Sequence, residues 1–182
     1  MVQGTYGQAT VMITKSTTDV PFYEKDELKI SETLYDTKVD QLAVSGQTIL
    51  NDDIVKITVM TTDLPSAEEI GLIATFDKTL LKTIEKNEVI ISEKTARTYD
   101  LKAGDWLTIS VLDETRDVTI GAVSETTGVY FGEVDRVLLV ASDGFFDSDH
   151  QNTYATMTLL KVPDANFNDV INEISSNHTD FH

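Results

Sequence analysis

The chain contains no cysteine, which removes disulfide cross-links, thiolate nucleophiles and Cys-ligated zinc from consideration. Long apolar runs are missing too. The longest purely apolar run covers residues 137–141 (VLLVA), far below the ~18 residues that a membrane-spanning helix needs. The first residues lack the basic and apolar pattern of a signal peptide, so the expectation is a water-exposed piece whose anchoring segments, if any, lie outside this sequence. Cations are scarce: 14 Lys and Arg stand against 31 Asp and Glu, a formal net charge of −17. A nucleic-acid surface needs clustered Lys and Arg, so that class is excluded. Docking on anionic lipid is disfavoured on the same ground. No glycine pattern of a nucleotide or dinucleotide loop occurs, and no Ser sits in G-x-S-x-G. No cofactor and no catalytic constellation are expected.

What remains is an ordinary globular composition, 41% apolar and 25% charged over 182 residues. That is one domain or two small ones, long enough to bury a core. The clearest local grammar lies in residues 87–125, NEVIISEKTARTYDLKAGDWLTISVLDETRDVTIGAVSE. Residues 88–91 form a short β run. Ser92 is a good helix N-cap with Glu93 behind it, where the helix dipole favours an acid. A helix over 93–99 should break over residues 100–105 (DLKAGD), where Gly104 can take positive φ and the Asp105 carboxylate can fold back onto backbone N–H groups. Residues 106–112 then read as a strand with Leu107, Ile109 and Val111 on one face. Residues 113–116 read as a polar turn, and Val118, Ile120 and Ala122 line the return strand. Strand, helix, Gly-Asp turn and hairpin predict a small barrel.

On either side the pattern is mixed. Residues 8–15 alternate as a strand, and 22–35 read as an acidic helix with Ile30 and Leu34 as an i, i+4 pair. Strands over 39–50 and 54–62, joined by Asn51-Asp52-Asp53, should pair antiparallel with Val55, Ile57 and Val59 on one face. Leu64-Pro65 opens a helix that Phe76, Leu80, Leu81 and Ile84 continue. Residues 136–141 form a strand covered on both faces. Residues 154–162 form another, with Ala155, Met157 and Leu159 together. A closing helix places Phe167, Val170, Ile171 and Ile174 in one stripe. Matching strand–helix units at the two ends predict one α+β sandwich, into which the barrel-like middle is inserted.

The polar candidates for chemistry have plain explanations. Asp147, Asp149 and His150 fall within four residues, but without the Gly and distal Glu of an EF-hand they read as a solvated acidic loop. His178 and His182 lack the intervening Glu of a helical metal pair. No metal site is expected. Asp105 reads as a turn cap rather than a catalytic acid. The better clue is aromatic: Tyr130 and Phe131 in one loop, and Phe145 and Phe146 in another, form a candidate partner-binding edge. The alternative is that each pair tucks back over the barrel to pin its own loop.

Residues 88–111 (EVIISEKTARTYDLKAGDWLTISV), followed by VTIGAVSE, a loop and RVLLVA, resemble the extracytoplasmic core domain of MacB-type, FtsX-like ABC transporter permeases. The closing NTYATMTLLKVPDANFNDVINEISSNHTDF and the opening GTYGQATVMITK are similar to the strands and helix that bound this domain. Residues 17–75 match weakly. The resemblance implies a discontinuous porter-like α+β subdomain, 1–72 and 150–182, with an inserted β-rich subdomain over 73–149. It implies a non-catalytic domain on the extracellular or periplasmic side of a cell membrane. Its partners would be the transmembrane helices of the same permease, a separate ATP-binding subunit or domain, and an extracellular protein or peptide substrate. The acidity, threonine-rich strands and lack of cysteine favour a Gram-positive surface. The competing readings are a soluble barrel that binds a ligand or catalyses a reaction, and an adhesion or scaffold module.

Overall fold

In the computed structural model, residues 11–15, 22–69, 84–124, 137–146, 154–177 and 181 are described. The described residues are mostly β with few helices. Ten strands run β1 (Val11–Ile13), β2 (Tyr23–Glu24), β3 (Thr37–Leu50), β4 (Asp53–Thr62), β5 (Glu88–Ser92), β6 (Trp106–Val111), β7 (Glu114–Ser124), β8 (Val137–Ser142), β9 (Tyr154–Ala155) and β10 (Met157–Lys161). Three α-helices accompany them: α1 (Leu64–Glu69), α2 (Glu93–Thr98) and α3 (Phe167–Asn177).

Eight strands form one sheet in the order β1-β10-β3-β4-β8-β5-β7-β6, and β6 pairs back onto β3. That last pairing closes six of them, β3 to β6, into a mixed barrel. The β4–β8 and β5–β7 pairs are parallel and the others antiparallel. β3 is the shared stave. Thr37–Gln41 pair with β10, and Gly46–Thr48 pair with β6. The hydrogen-bonded sheet is therefore continuous from the strands near the chain ends into the barrel, through β3 and β4.

Alternation dictates the barrel interior, since a period of two sends every second side chain inward. Leu107, Ile109 and Val111 of β6 and Val118 and Ile120 of β7 are buried together with Ile57 and Val59 of β4. β8 is covered on both faces. Its Val137, Leu139 and Ala141 point into the barrel, while Leu138 and Val140 join a second cluster with Leu64 and Ala67 of α1. A third cluster lies outboard, where Val11, Ile13, Leu160, Val170, Ile174 and Phe181 surround Tyr23. Lys15 and Phe181 form an isolated bridge beside it.

Several expectations are corrected. Residues 22–35 form no α-helix but β2 followed by two short 3-10 turns, Lys25–Glu27 and Glu32–Leu34. The buried side chains there are Tyr23, Leu28 and Ile30, and their spacing of five and two does not share a helix face. The hairpin after β6 turns on Leu112-Asp113, both at positive φ (52° and 60°), not on residues 113–116. Such a two-residue turn matches the twist of the strands it joins. The strand over 154–162 is broken at Thr156, whose N–H donates to the Gln41 carbonyl at 2.8 Å while β9 turns away to pair with β2. Ile171 is exposed, so the α3 stripe is carried by Val170 and Ile174. Phe76, Leu80 and Leu81 lie outside the described residues.

Candidate functional site

Phe145 and Phe146 follow β8 into a turn closed by the Phe145 N–H donating to the Ser142 carbonyl at 3.1 Å. Their rings meet edge-to-face, 5.2 Å apart. Both belong to the barrel cluster, at 0% and 4% exposure. Arg116 of β7 holds them there. Its guanidinium lies 3.8 Å from the Phe145 ring centroid, donates to the Phe145 carbonyl, and grips the Asn87 side-chain oxygen at 2.8 and 3.0 Å. The expectation that this pair presents an exposed edge is corrected: a cation against a ring face, combined with apolar burial, turns both rings inward. Tyr130 and Phe131 lie outside the described residues, as do Asp147, Asp149, His150, His178 and His182.

The Gly-Asp turn behaves as its residue types require. Gly104 sits at φ 97°, and the Asp105 carboxylate accepts from the Lys102 N–H at 3.0 Å. The turn is tied to β7 by backbone bonds from Gly104 to Ile120 (2.8 Å) and from Ile120 to Asp105 (2.7 Å). Ser92 caps α2, its hydroxyl accepting from the Thr95 N–H at 3.0 Å. Asp105 is thus committed to backbone geometry. Among the described residues, no three His, Asp or Glu side chains converge as a metal site.

Outboard of the barrel lies one buried polar relay. Thr158 donates its single hydroxyl hydrogen to Asp40 at 2.6 Å, so the 2.5 Å contact with Tyr23 is a phenol O–H donating to Thr158. Burial pushes the Tyr23 phenol above its ordinary range; the bond to Thr158 opposes this and the nearby Asp40 charge adds to it. A protonated phenol that donates to a hydroxyl, which in turn donates to a carboxylate, ties β2 to β10 and β3.

The face that does offer contact is the outer surface of β4, β3 and β6. Ile49 and Ile54 are cross-strand partners beside the Asn51-Asp52 turn, exposed by 68% and 70%. Trp106, the chain's single tryptophan, opens β6 at 66% exposure. The Thr48–Ile109 pair that ends the β3–β6 ladder is buried, and Ile49 and Trp106, each out of phase with it, share the outward face. Next to this apolar corner is an open groove of ≈ 480 Å³, with Gln47, Lys56 and Ser110 among its lining. Gly46 forms part of its floor. A Cβ there would lie 2.5 Å from the Ser110 carbonyl oxygen, so the close β3–β6 approach requires glycine. Pattern reading missed this face because an apolar residue in a strand reads as buried. The available signal was parity: Trp106 is out of phase with Leu107, Ile109 and Val111.

The chain has the fold of solved extracytoplasmic domains of transporter proteins. The periplasmic region of MacB from Actinobacillus actinomycetemcomitans superposes with a TM-score of 0.65 at 10% identity, over 99% of this chain and 90% of that one. The extracellular domain of the noncanonic ABC-type transporter YknZ from Gram-positive bacteria matches with a TM-score of 0.57 at 11% identity, over 92% and 87% of the two chains. No family model and no curated protein sequence matches the chain. No helix among the described residues is long and apolar enough to cross a membrane.

Proposed function

We propose that the chain is the non-catalytic extracytoplasmic domain of a MacB- or FtsX-like ABC transporter permease. It couples ATP hydrolysis on the cytoplasmic side to export, or to an extracellular partner, by conformational change. The observation that carries this reading is the end-to-end structural match, which covers 99% of this chain and 90% of the MacB periplasmic region. A second supports it. β1 pairs with β10, and Lys15 bridges to Phe181, so residues near both ends of the sequence lie together, as continuation into two neighbouring membrane helices requires. In this reading the outboard strands and α3 form the membrane-proximal, porter-like part. The barrel is the distal part, and β3 and β4 run through both. ATP is bound and hydrolysed by a separate subunit or domain, and Phe145 and Phe146 serve by closing the barrel rather than by touching a partner.

The absence of cysteine provides the test. Ala165→Cys, at an exposed position away from the β3–β4 corner and introduced into the gene product that carries this sequence, is the one thiol in this stretch. It should react with a membrane-impermeant maleimide on intact cells, and the product should co-purify with an ATP-hydrolysing partner. Labelling only after lysis overturns the reading.

A further inference from the structure

We propose that the outward corner formed by Ile49, Ile54 and Trp106 is a docking face for a cationic, amphipathic segment of another polypeptide. The inference does not depend on where the chain sits relative to a membrane. Ile49 and Ile54 are set side by side by strand register, and Trp106 shares their outward face at this end of the barrel; each is about two-thirds exposed. An exposed cluster of this kind, rimmed by polar groups, marks an interaction site, and tryptophan is among the residue types most enriched at interface anchors.

The rim says what kind of partner fits. Asp52 stands exposed at the β3–β4 turn beside Ile49 and Ile54. On the other flank Asp117 faces outward and accepts from Thr108 at 2.6 Å. Lys56, one outward position beyond Ile54 on β4, is the cation of the adjoining groove; Arg116 is turned inward onto Phe145 and Asn87. The apolar corner therefore sits in a negative field on a chain of net charge −17. A second copy would bring the same carboxylates and the same net charge against it, and an anionic bilayer would be repelled. A segment that alternates Lys or Arg with apolar residues satisfies both features. It covers the three side chains and neutralises the rim, and electrostatic steering hastens its encounter.

Trp106 is the built-in reporter, because its fluorescence shifts to the blue when the indole leaves water. The 182-residue chain is titrated with a synthetic peptide alternating Lys and Leu, and separately with Glu–Leu and Lys–Ser analogues. The Lys–Leu peptide should give a saturable blue shift that weakens as salt is raised, and the analogues should give none. Ile49→Thr and Ile54→Thr keep β-branched residues at exposed positions, so the fold is retained; each should weaken Lys–Leu binding by about tenfold. Asp52→Asn with Asp117→Asn should weaken it and flatten its salt dependence. Wild-type affinity in the isoleucine variants overturns the proposal, as does an equal response to the Glu–Leu peptide or no shift with any peptide. A blue shift with phosphatidylglycerol vesicles instead assigns the face to a lipid surface. A shift that grows with protein concentration alone, with a dimer in sedimentation, assigns it to a second copy.

Discussion

The closed barrel and the strands outboard of it share β3, yet their interiors differ in chemistry. Inside the barrel the buried cluster runs from Leu42 to Phe146 with few polar groups, Thr48 of β3 being one whose hydroxyl donates to the Thr108 carbonyl, and its order comes from strand alternation and from the closed ring of six strands. Outboard, the small cluster around Val11, Leu160 and Val170 encloses the Tyr23–Thr158–Asp40 relay. Short segments are stitched on by single polar contacts. Glu173 of α3, for example, accepts from both the N–H and the hydroxyl of Ser31. A barrel can be specified by one repeated rule. A periphery assembled from residues far apart in sequence needs individual bonds, because two- and three-residue strands bury too little to fix their own register.

Breaking the barrel should therefore cost most. Phe145→Ala removes a fully buried ring and the surface that Arg116 stacks on. Chemical denaturation should register a loss of about 3–5 kcal/mol. A loss below ~1 kcal/mol would mean that the aromatic turn decorates the barrel mouth rather than closing it. Gly46→Ala places a methyl against the Ser110 carbonyl and should cost about 1–3 kcal/mol by prying β6 from β3. Amide exchange in Thr48 and Ser110 should quicken, while β1 and β10 stay protected.

The outboard relay makes a smaller and pH-dependent contribution. Tyr23→Phe should cost about 1 kcal/mol from the lost hydrogen bond. The Tyr23 phenol is held above its ordinary value of 10.0, chiefly by burial, so the folded state retains a proton that the unfolded chain releases. Its stabilising effect is complete below pH 10 and declines as pH rises further. Tyr35 moves in the same direction, from burial first and then from the charges of Glu32 and Asp40. Thermal unfolding followed above pH 10 should show a falling midpoint, with a shallower fall in Tyr23→Phe. Identical slopes would remove the relay from the comparison. The smallest effect belongs to Ser92→Ala, which deletes the α2 cap and should cost about 0.5–1 kcal/mol in urea unfolding.

Legibility in the sequence follows the same division. The strands of the central stretch, the Ser92 cap and the Asp105 turn could be read because each depends on residues within a few positions of one another. Local rules also located β3, β4 and the turn between them. Closure of the barrel could not be read. The β3–β6 pairing joins Gly46 to Val111, and its only local sign is the absence of a side chain at Gly46. Residues 22–35 were mistaken for a helix because Ile30 and Leu34 suit one, whereas Tyr23 is held by Thr158, 135 positions away. Phe145 and Phe146 looked like loop aromatics for the same reason, since the guanidinium that folds them inward comes from another hairpin. The contact face was hidden by its own composition. Nothing in an isoleucine says that it will be left in water.

β3 has a mechanical consequence. At about 3.3 Å per residue, its 14 residues make a strut roughly 46 Å long. One half is bonded to β10, the other to β6, and β4 lies along its length from Gln41 to Leu50. β3 is unbroken from Thr37 to Leu50. Under the permease reading proposed above, a rotation imposed where β1 and β10 meet would be delivered to the Asn51-Asp52 tip as a sweep of the whole barrel, with the amplitude of a lever rather than the damping of a hinge.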